Sequence, residues 1–277
     1  MPELPEVECL TRAVRHVLQG QQIQQVQFFR RDLRGEIPIE QFQATMLSRP
    51  IRRVYRRSKY MLVEVEGSVG IFHLGMSGQI MCLDQPEPVY PHTHAIFQIS
   101  PTSPKPVYLH YIDPRRFGWI TCCAGSELAD HPFFKHLGPE PLATDDLLNY
   151  LWQKSRKKVV AIKNFLMDAR VLVGVGNIYA NEALFRAGIR PTRPTHRVRQ
   201  KEFAALVPAI RQTLSEAIEA GGTSFRDYLH PDGSPGYFKV ALRVYDRAGE
   251  PCVECGAEIQ EVRLSGRATY FCKRCQK

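Results

Sequence analysis

Two groups of side chains could do chemistry, one at each end of the chain. Met1-Pro2-Glu3 opens it. Removal of Met1 would leave Pro2 as the N-terminus, a secondary amine beside a carboxylate. A free amine attacks carbonyl-like carbon, and an α-amino group with a reference pKa of about 8 is partly unprotonated near neutral pH. A proline nitrogen that has become an iminium keeps no N–H, which suits it to eliminations. The same residues also suit an ordinary helix start, with proline early and acids in the first turn. At the far end, Cys252-Val253-Glu254-Cys255 is followed after sixteen residues by Cys272-Lys273-Arg274-Cys275. That is the spacing of a four-thiolate zinc site. Four cysteines saturate a tetrahedral ion, so the zinc expected here is structural. A hairpin turning at Ser265-Gly266 would hold Arg267 at a rigid tip, placed to meet a phosphate.

Between these ends lie weaker signals, each with an ordinary alternative. Lys59 ends the basic run Arg52, Arg53, Arg56 and Arg57 and precedes an apolar strand. It is either a surface lysine or a proton-transfer group in a cleft. Lys154, Arg156, Lys157, Lys158 and Lys163 form a second basic cluster, either a solvated face or a nucleic-acid footprint. Gly174-Val175-Gly176-Asn177 opens a helix and is either a plain cap or an anion site. Met76 sits between Gly75 and Gly78, and Arg115 and Phe117 lie in Asp113-Pro114-Arg115-Arg116-Phe117-Gly118. The apolar tips Met76 and Phe117 are either core residues or wedges of the kind that base-extruding proteins insert into a stack.

The elements that must position these groups can be read coarsely. Residues 4–19 have the apolar spacing of an amphipathic helix stopped by Gly20. Short β-prone runs follow at 23–28, 60–65, 70–74, 95–99, 107–111 and 117–121, implying a β-sandwich or barrel with the helix against it. From 145 the period is helical, at 145–154, 158–168, 178–187 and 199–220. Residues 221–241, rich in Gly, Ser and Pro, read as a long loop. The 277 residues suffice for two domains, and a net charge of +9 favours a polyanionic partner. There is no apolar run of about 18 residues to span a membrane and no secretory leader. The remaining cysteines read as reduced cytosolic thiols, and a cytoplasmic location is expected.

Taken together, Met1–Glu8, Arg56–Tyr60, His73–Gly78, Asp113–Gly118, Leu137–Pro141, Ala161–Asp168, Val173–Leu184, Gly221–Phe238 and Cys252–Lys277 resemble the formamidopyrimidine-DNA glycosylase family along the whole chain. Leu4 stands where the endonuclease VIII branch usually has Gly, which favours the formamidopyrimidine branch. The resemblance implies an α+β protein. A β-sandwich catalytic domain with a packed N-terminal helix (1–135) and a linker (136–146) come first. A helix–two-turn–helix domain with a lesion-binding loop (147–242) and a zinc-finger hairpin (243–277) follow. By similarity, Pro2 attacks C1′ of the damaged nucleotide, Glu3 handles protons on the sugar, Lys59 acts in β-elimination and Arg267 in δ-elimination. An arginine stays protonated, so phosphate positioning is the role expected of Arg267. The family's DNA contacts map onto His92, Arg115, Lys158, Lys163 and Asn177, with Met76, Arg115 and Phe117 filling the gap left by the extruded base. Glu6, Thr223 and Tyr237 would line the lesion pocket. One zinc ion, damaged double-stranded DNA as partner and a monomeric state are expected, with no specific protein partner implied. Two other readings remain: an oxidised-pyrimidine glycosylase of the endonuclease VIII type, and a non-catalytic zinc-ribbon DNA-binding protein.

Overall fold

The computed structural model describes residues 2–87, 89–100, 107–222 and 242–277. These form two compact units, the first from residues 2–135 with 220–222, the second from 136–219 with 242–277. Among the described residues, no helix is long and apolar enough to cross a membrane.

In the first unit, α1 (Leu4–Leu18) and α2 (Ile39–Met46) accompany two antiparallel four-stranded sheets. One sheet has β1 (Gln22–Phe28), β6 (Thr93–Ser100), β7 (Val107–Ile112) and β5 (Gln79–Leu83) side by side. The other has β2 (Arg53–Arg57), β3 (Tyr60–Val65), β4 (Ser68–His73) and β8 (Trp119–Ala124). One apolar core takes residues from both: Val26, Ile80, Phe97 and Leu109 from the first sheet, Val54, Met61, Val63 and Ile120 from the second. Phe42 of α2, Phe72 and Phe97 meet with ring centroids 5.6–6.2 Å apart, so α2 and both sheets share one aromatic cluster. Val7, Leu10, Val14 and Leu18 recur at helical spacing and carry α1 onto the same core. This is the expected sandwich with its packed helix.

Three elements have no counterpart in the sequence reading. Strands β2 and β5 and helix α2 were not expected. Strand β2 is written Arg-Val-Tyr-Arg-Arg and buries fully only Val54, so charge masks its alternation. The expected strand at 117–121 instead begins at Trp119. Phe117 is left outside the ladder, at a turn.

In the second unit, α3 (Leu147–Ser155), α4 (Ile162–Met167), α5 (Asn177–Arg186) and α6 (Gln200–Glu219) accompany the hairpin of β9 (Ile259–Leu264) and β10 (Arg267–Cys272). Helix α5 is the hub: Ile178 through Phe185 are all buried, with Ala180 and Ala183 allowing close packing. Its Glu182 accepts backbone N–H bonds from Arg243, Val244 and Tyr245 at 2.9–3.0 Å. Its Asn181 accepts the Tyr270 N–H at 2.9 Å, which fixes β10 to the helix.

Glu202 on α6 ties down the connection before it. It accepts from Arg193 at 2.7 Å and from the Arg199 N–H at 2.8 Å. The Arg193 guanidinium leads in holding the Glu202 carboxyl down, from an ordinary 4.5 to about 2. A carboxyl depressed on folding stabilises fully above its unfolded value and loses that contribution as pH falls toward the folded one. Melting temperature should therefore drop on acidification from about pH 4.5 toward 2, and Glu202→Gln should make that drop shallower. Identical slopes in the two proteins would refute the assignment.

Candidate functional site

At the start of α1, Glu3 is the N-cap in extended conformation, and its N–H donates to the Glu6 carboxylate at 2.7 Å. Glu6 is N3 and completes a reciprocal capping box. Glu3 and Glu6 are each only 2% exposed, and Pro2 is buried beside them. The helix-start reading of the opening residues holds. The Glu3 carboxylate accepts the Glu6 backbone N–H, and buried Pro2 directly precedes this capping residue. Gly222, at φ 83°, packs on Glu6: a Cβ there would lie 3.3 Å from the Glu6 Cα. Thr223 and Tyr237 lie outside the described residues.

Lys59 occupies a two-residue turn between β2 and β3, where Arg57 pairs with Tyr60. Ser58, buried and at φ 56°, supplies the left-handed residue that so short a loop needs. The turn is tied to α1 by Arg56. Its Nε donates to Glu8 at 2.9 Å and its Nη1 to the Ser58 carbonyl at 2.8 Å. Burial alone would raise the Glu8 carboxyl, but Arg12 and Arg56 outweigh it and hold Glu8 below the usual carboxylate range. The basic run is thus not one uniform face. Arg56 is an internal strut, and Lys59 sits in the turn that it fixes.

His73, which the sequence reading did not single out, pairs across the ladder with Tyr60, the rings 4.8 Å apart. Its Nδ1 accepts the Gly75 N–H at 3.1 Å, which leaves the ring proton on Nε2. Burial, with Lys59 and Arg34 adding, pushes its pKa down to about 4. A neutral imidazole with its N–H on Nε2 therefore stands beside Lys59. The signal was in the sequence, since His73 opens the Met76 turn, but the tips drew attention away from it.

Met76 and Phe117 are 37% and 41% exposed, which excludes the core alternative for both. The Arg115 guanidinium lies over the Phe117 ring, 5.0 Å from its centroid. His92 is exposed, at φ 66°, and its carbonyl accepts the Asp113 N–H at 3.0 Å, so it flanks the same turn.

The remaining candidates belong to the second unit. Arg267 is exposed beside the Ser265-Gly266 turn, whose φ values of 48° and 76° suit a type I′ hairpin. Lys158 is exposed at the end of its cluster. Asn177 is the first helical residue and not the cap, which is Gly176. Its Nδ2 donates to the Ala268 carbonyl at 3.1 Å.

Lys163 needs a correction. Expected as a phosphate ligand, it is 0% exposed, its Nζ donating to the Ala268 carbonyl at 2.9 Å and to the Thr269 hydroxyl at 2.6 Å. It shares the buried stripe of α4 with Ile162, Phe165 and Leu166, so its stem points inward. Its work is to hold the strand that begins at Arg267.

The four cysteine sulfurs all lie within 4.8 Å of one another, Cys255 to Cys272 at 3.5 Å and Cys252 to Cys275 at 3.9 Å. A tetrahedral ion with Zn–S bonds of about 2.3 Å spaces its sulfurs about 3.8 Å apart, so the set fits zinc. Burial first, then the other sulfurs, push the Cys275 thiol up. Only a cation lets four thiolates share this volume.

Family models match three stretches in order. The formamidopyrimidine-DNA glycosylase N-terminal domain matches residues 1–120 and its H2TH domain residues 137–228, while a zinc finger found in FPG and IleRS matches 249–277. A formamidopyrimidine-DNA glycosylase of Acidithiobacillus ferrooxidans is 42% identical over the full length of both chains. The chain belongs to the formamidopyrimidine-DNA glycosylase family. One of Serratia proteamaculans is 44% identical over the same full span. Among solved structures, the Lactococcus lactis Fpg in complex with an abasic site containing DNA superposes with a TM-score of 0.89 at 32% identity, covering 99% of each chain. MutM (FPG) from Thermus thermophilus gives 0.85 at 36% identity, covering 99% of this chain and 98% of that one. Family membership also accounts for the α+β architecture and for the zinc finger that the cysteine geometry accommodates.

Proposed function

We propose that this chain is a bifunctional DNA glycosylase and abasic-site lyase that excises oxidised purines, 8-oxoguanine and formamidopyrimidines, from duplex DNA. The observation that supports this best is the built start of α1, where Pro2 is buried and directly precedes the buried, helix-capping Glu3. With Met1 removed, the Pro2 nitrogen forms a bond to C1′ of the damaged nucleotide while the bond from C1′ to the base breaks. The amine gives up its proton, the C1′–O4′ bond opens as O4′ takes a proton from Glu3, and the iminium so formed makes the C2′ protons acidic. Loss of one of them expels the 3′ phosphate in β-elimination. Glu3 stabilises the positive charge that develops on the sugar and holds a proton for it. Lys59 is the proton-transfer group for the elimination, aided by the turn that Arg56 braces. His73 offers its Nε2–H to a phosphate oxygen beside it.

Arg267, Lys158, Asn177, His92 and Arg115 take phosphates. Met76, Arg115 and Phe117 fill the stack when the nucleotide leaves it. Glu6, under Gly222, lines the lesion pocket together with Thr223 and Tyr237. Zinc, held by Cys252, Cys255, Cys272 and Cys275, makes the hairpin rigid and takes no part in bond breaking. One copy of the chain acts on the damaged duplex, in the bacterial cytoplasm where that DNA lies.

Competition between duplexes carrying 8-oxoguanine and thymine glycol tests the substrate class. Excision of 8-oxoguanine is expected to prevail by at least tenfold in kcat/KM, about 1.4 kcal/mol. Preference for thymine glycol would establish the pyrimidine alternative. Binding without turnover of either would establish the non-catalytic one.

A further inference from the structure

The two exposed tips are built as one body, and a single carboxylate joins them. Asp113 is 0% exposed. Its Oδ1 accepts the Ser77 hydroxyl at 2.8 Å, and Ser77 closes the Met76 turn. Its Oδ2 accepts the Gly118 N–H at 2.8 Å, the residue after Phe117. The Ser77 Oγ in turn accepts the Arg115 N–H at 3.2 Å, so each turn grips the other through the same pair. The backbone of Asp113 is also engaged, its N–H by the His92 carbonyl at 3.0 Å and its carbonyl by His94 Nε2 at 2.8 Å. Tyr111 OH donates to the His73 carbonyl at 2.8 Å and hooks the first turn at its entry.

Packing supports the same arrangement. A Cβ on Gly75 would lie 2.3 Å from the Phe117 carbonyl carbon, and one on Gly118 would lie 1.8 Å from Tyr111 OH. The two backbones therefore touch where only glycine fits. A carboxylate is the one short side chain that accepts from both donors. The Gly118 N–H cannot reverse, so an amide would give it the carbonyl oxygen and turn NH2 toward Ser77. The Ser77 oxygen would then have to accept twice, its own hydrogen displaced.

We infer that Asp113 is a positioning residue for base extrusion: it makes Met76, Arg115 and Phe117 enter the duplex as one rigid wedge. The inference rests on the wedge reading of those three residues given above. It separates two steps of the reaction. Extruding a nucleotide from a paired stack needs the wedge, whereas an abasic site in a single strand needs only the Pro2 chemistry.

The test compares Asp113→Asn and the milder Ser77→Ala with wild type, alongside a Met76→Ala/Phe117→Ala reference. Three readouts are taken: single-turnover excision of 8-oxoguanine from duplex, the fluorescence rise of a 2-aminopurine beside the lesion, and cleavage of a single-stranded abasic oligonucleotide. Losing a hydrogen bond to a buried charge is expected to slow duplex excision about tenfold or more. The 2-aminopurine rise should slow in parallel, while single-strand cleavage stays within about twofold of wild type. Duplex excision and fluorescence at wild-type rates in both Asp113→Asn and Ser77→Ala would overturn the proposal. So would equal losses on duplex and single strand, which would mark a general folding role. A reference variant that keeps the full fluorescence rise would instead overturn the wedge reading and the inference with it.

Discussion

Borohydride added during turnover of abasic-site DNA is expected to fix the protein covalently to the sugar through the Pro2 nitrogen. Reduction converts the iminium to a stable amine, so the adduct reports the nucleophile directly. Protein that retains Met1 should give no adduct, because its Pro2 nitrogen is an amide. Pro2→Gly keeps a terminal amine after processing but loses the ring that fixes its direction above Glu3. A misplacement of about 1 Å at a reacting centre costs about 10²-fold, and trapping should slow by at least that much. Peptide mapping of the adduct provides the second check, with the sugar expected on the N-terminal peptide. Equal trapping by Pro2→Gly, or an adduct on Lys59, would remove the proline from the mechanism.

Stripping the zinc is expected to abolish DNA binding. Apart from the cysteines, the apolar core of the hairpin is small: Phe185, Val244, Ile259 and Tyr270 form a buried cluster around Cys252 and Cys272, and the hydrogen bonds to α4 and α5 need the strands already formed. Structural zinc contributes about 10–16 kcal/mol in isolated zinc-finger peptides, far more than such a cluster can replace. Loss of the ion should therefore release β9 and β10, and with them the Arg267 tip. The Ala268 carbonyl that Lys163 and Asn177 both grip would go too. Chelation or Cys255→Ser should weaken binding of an abasic duplex by more than about 10²-fold, and readdition of zinc should restore it only in the chelated wild type. Full affinity in metal-free protein would show the hairpin to be independent of the ion.

How much of this could be read in the residues depended on how local the signal was. Helix α1 and the zinc cluster are written in short spacings, 3.6-residue periodicity and paired Cys-x-x-Cys, and both appear where expected. Strands β1, β6 and β7 of the first sheet are legible as β-prone runs bounded by turn residues, whereas β5 is not and β2 hides behind its arginines. Lys163 misled because a charged residue in a basic cluster reads as surface. Its burial depends on a strand about a hundred positions away. Asp113 and His73 sat inside recognised motifs, yet their tasks became visible only when β4 and the 113–118 turn came together. Long-range pairing, not residue type, separates the legible part of the site from the rest.

The turn carrying Lys59 has a consequence for how such a chain can change over generations. With Arg57 facing Tyr60 and two residues between, the loop has no slack. Deleting one residue would leave too few for the turn and shift the register of a whole strand, turning its core side chains outward, while adding one would demand a different turn type and re-aim Lys59. Length variation, which surface loops ordinarily tolerate, is costly at that point. Point substitution is the route that explores the proton-transfer position and leaves the surrounding ladder intact. A laboratory library that varies loop length there should return unfolded proteins, and one that varies side chains alone should return folded proteins with altered elimination.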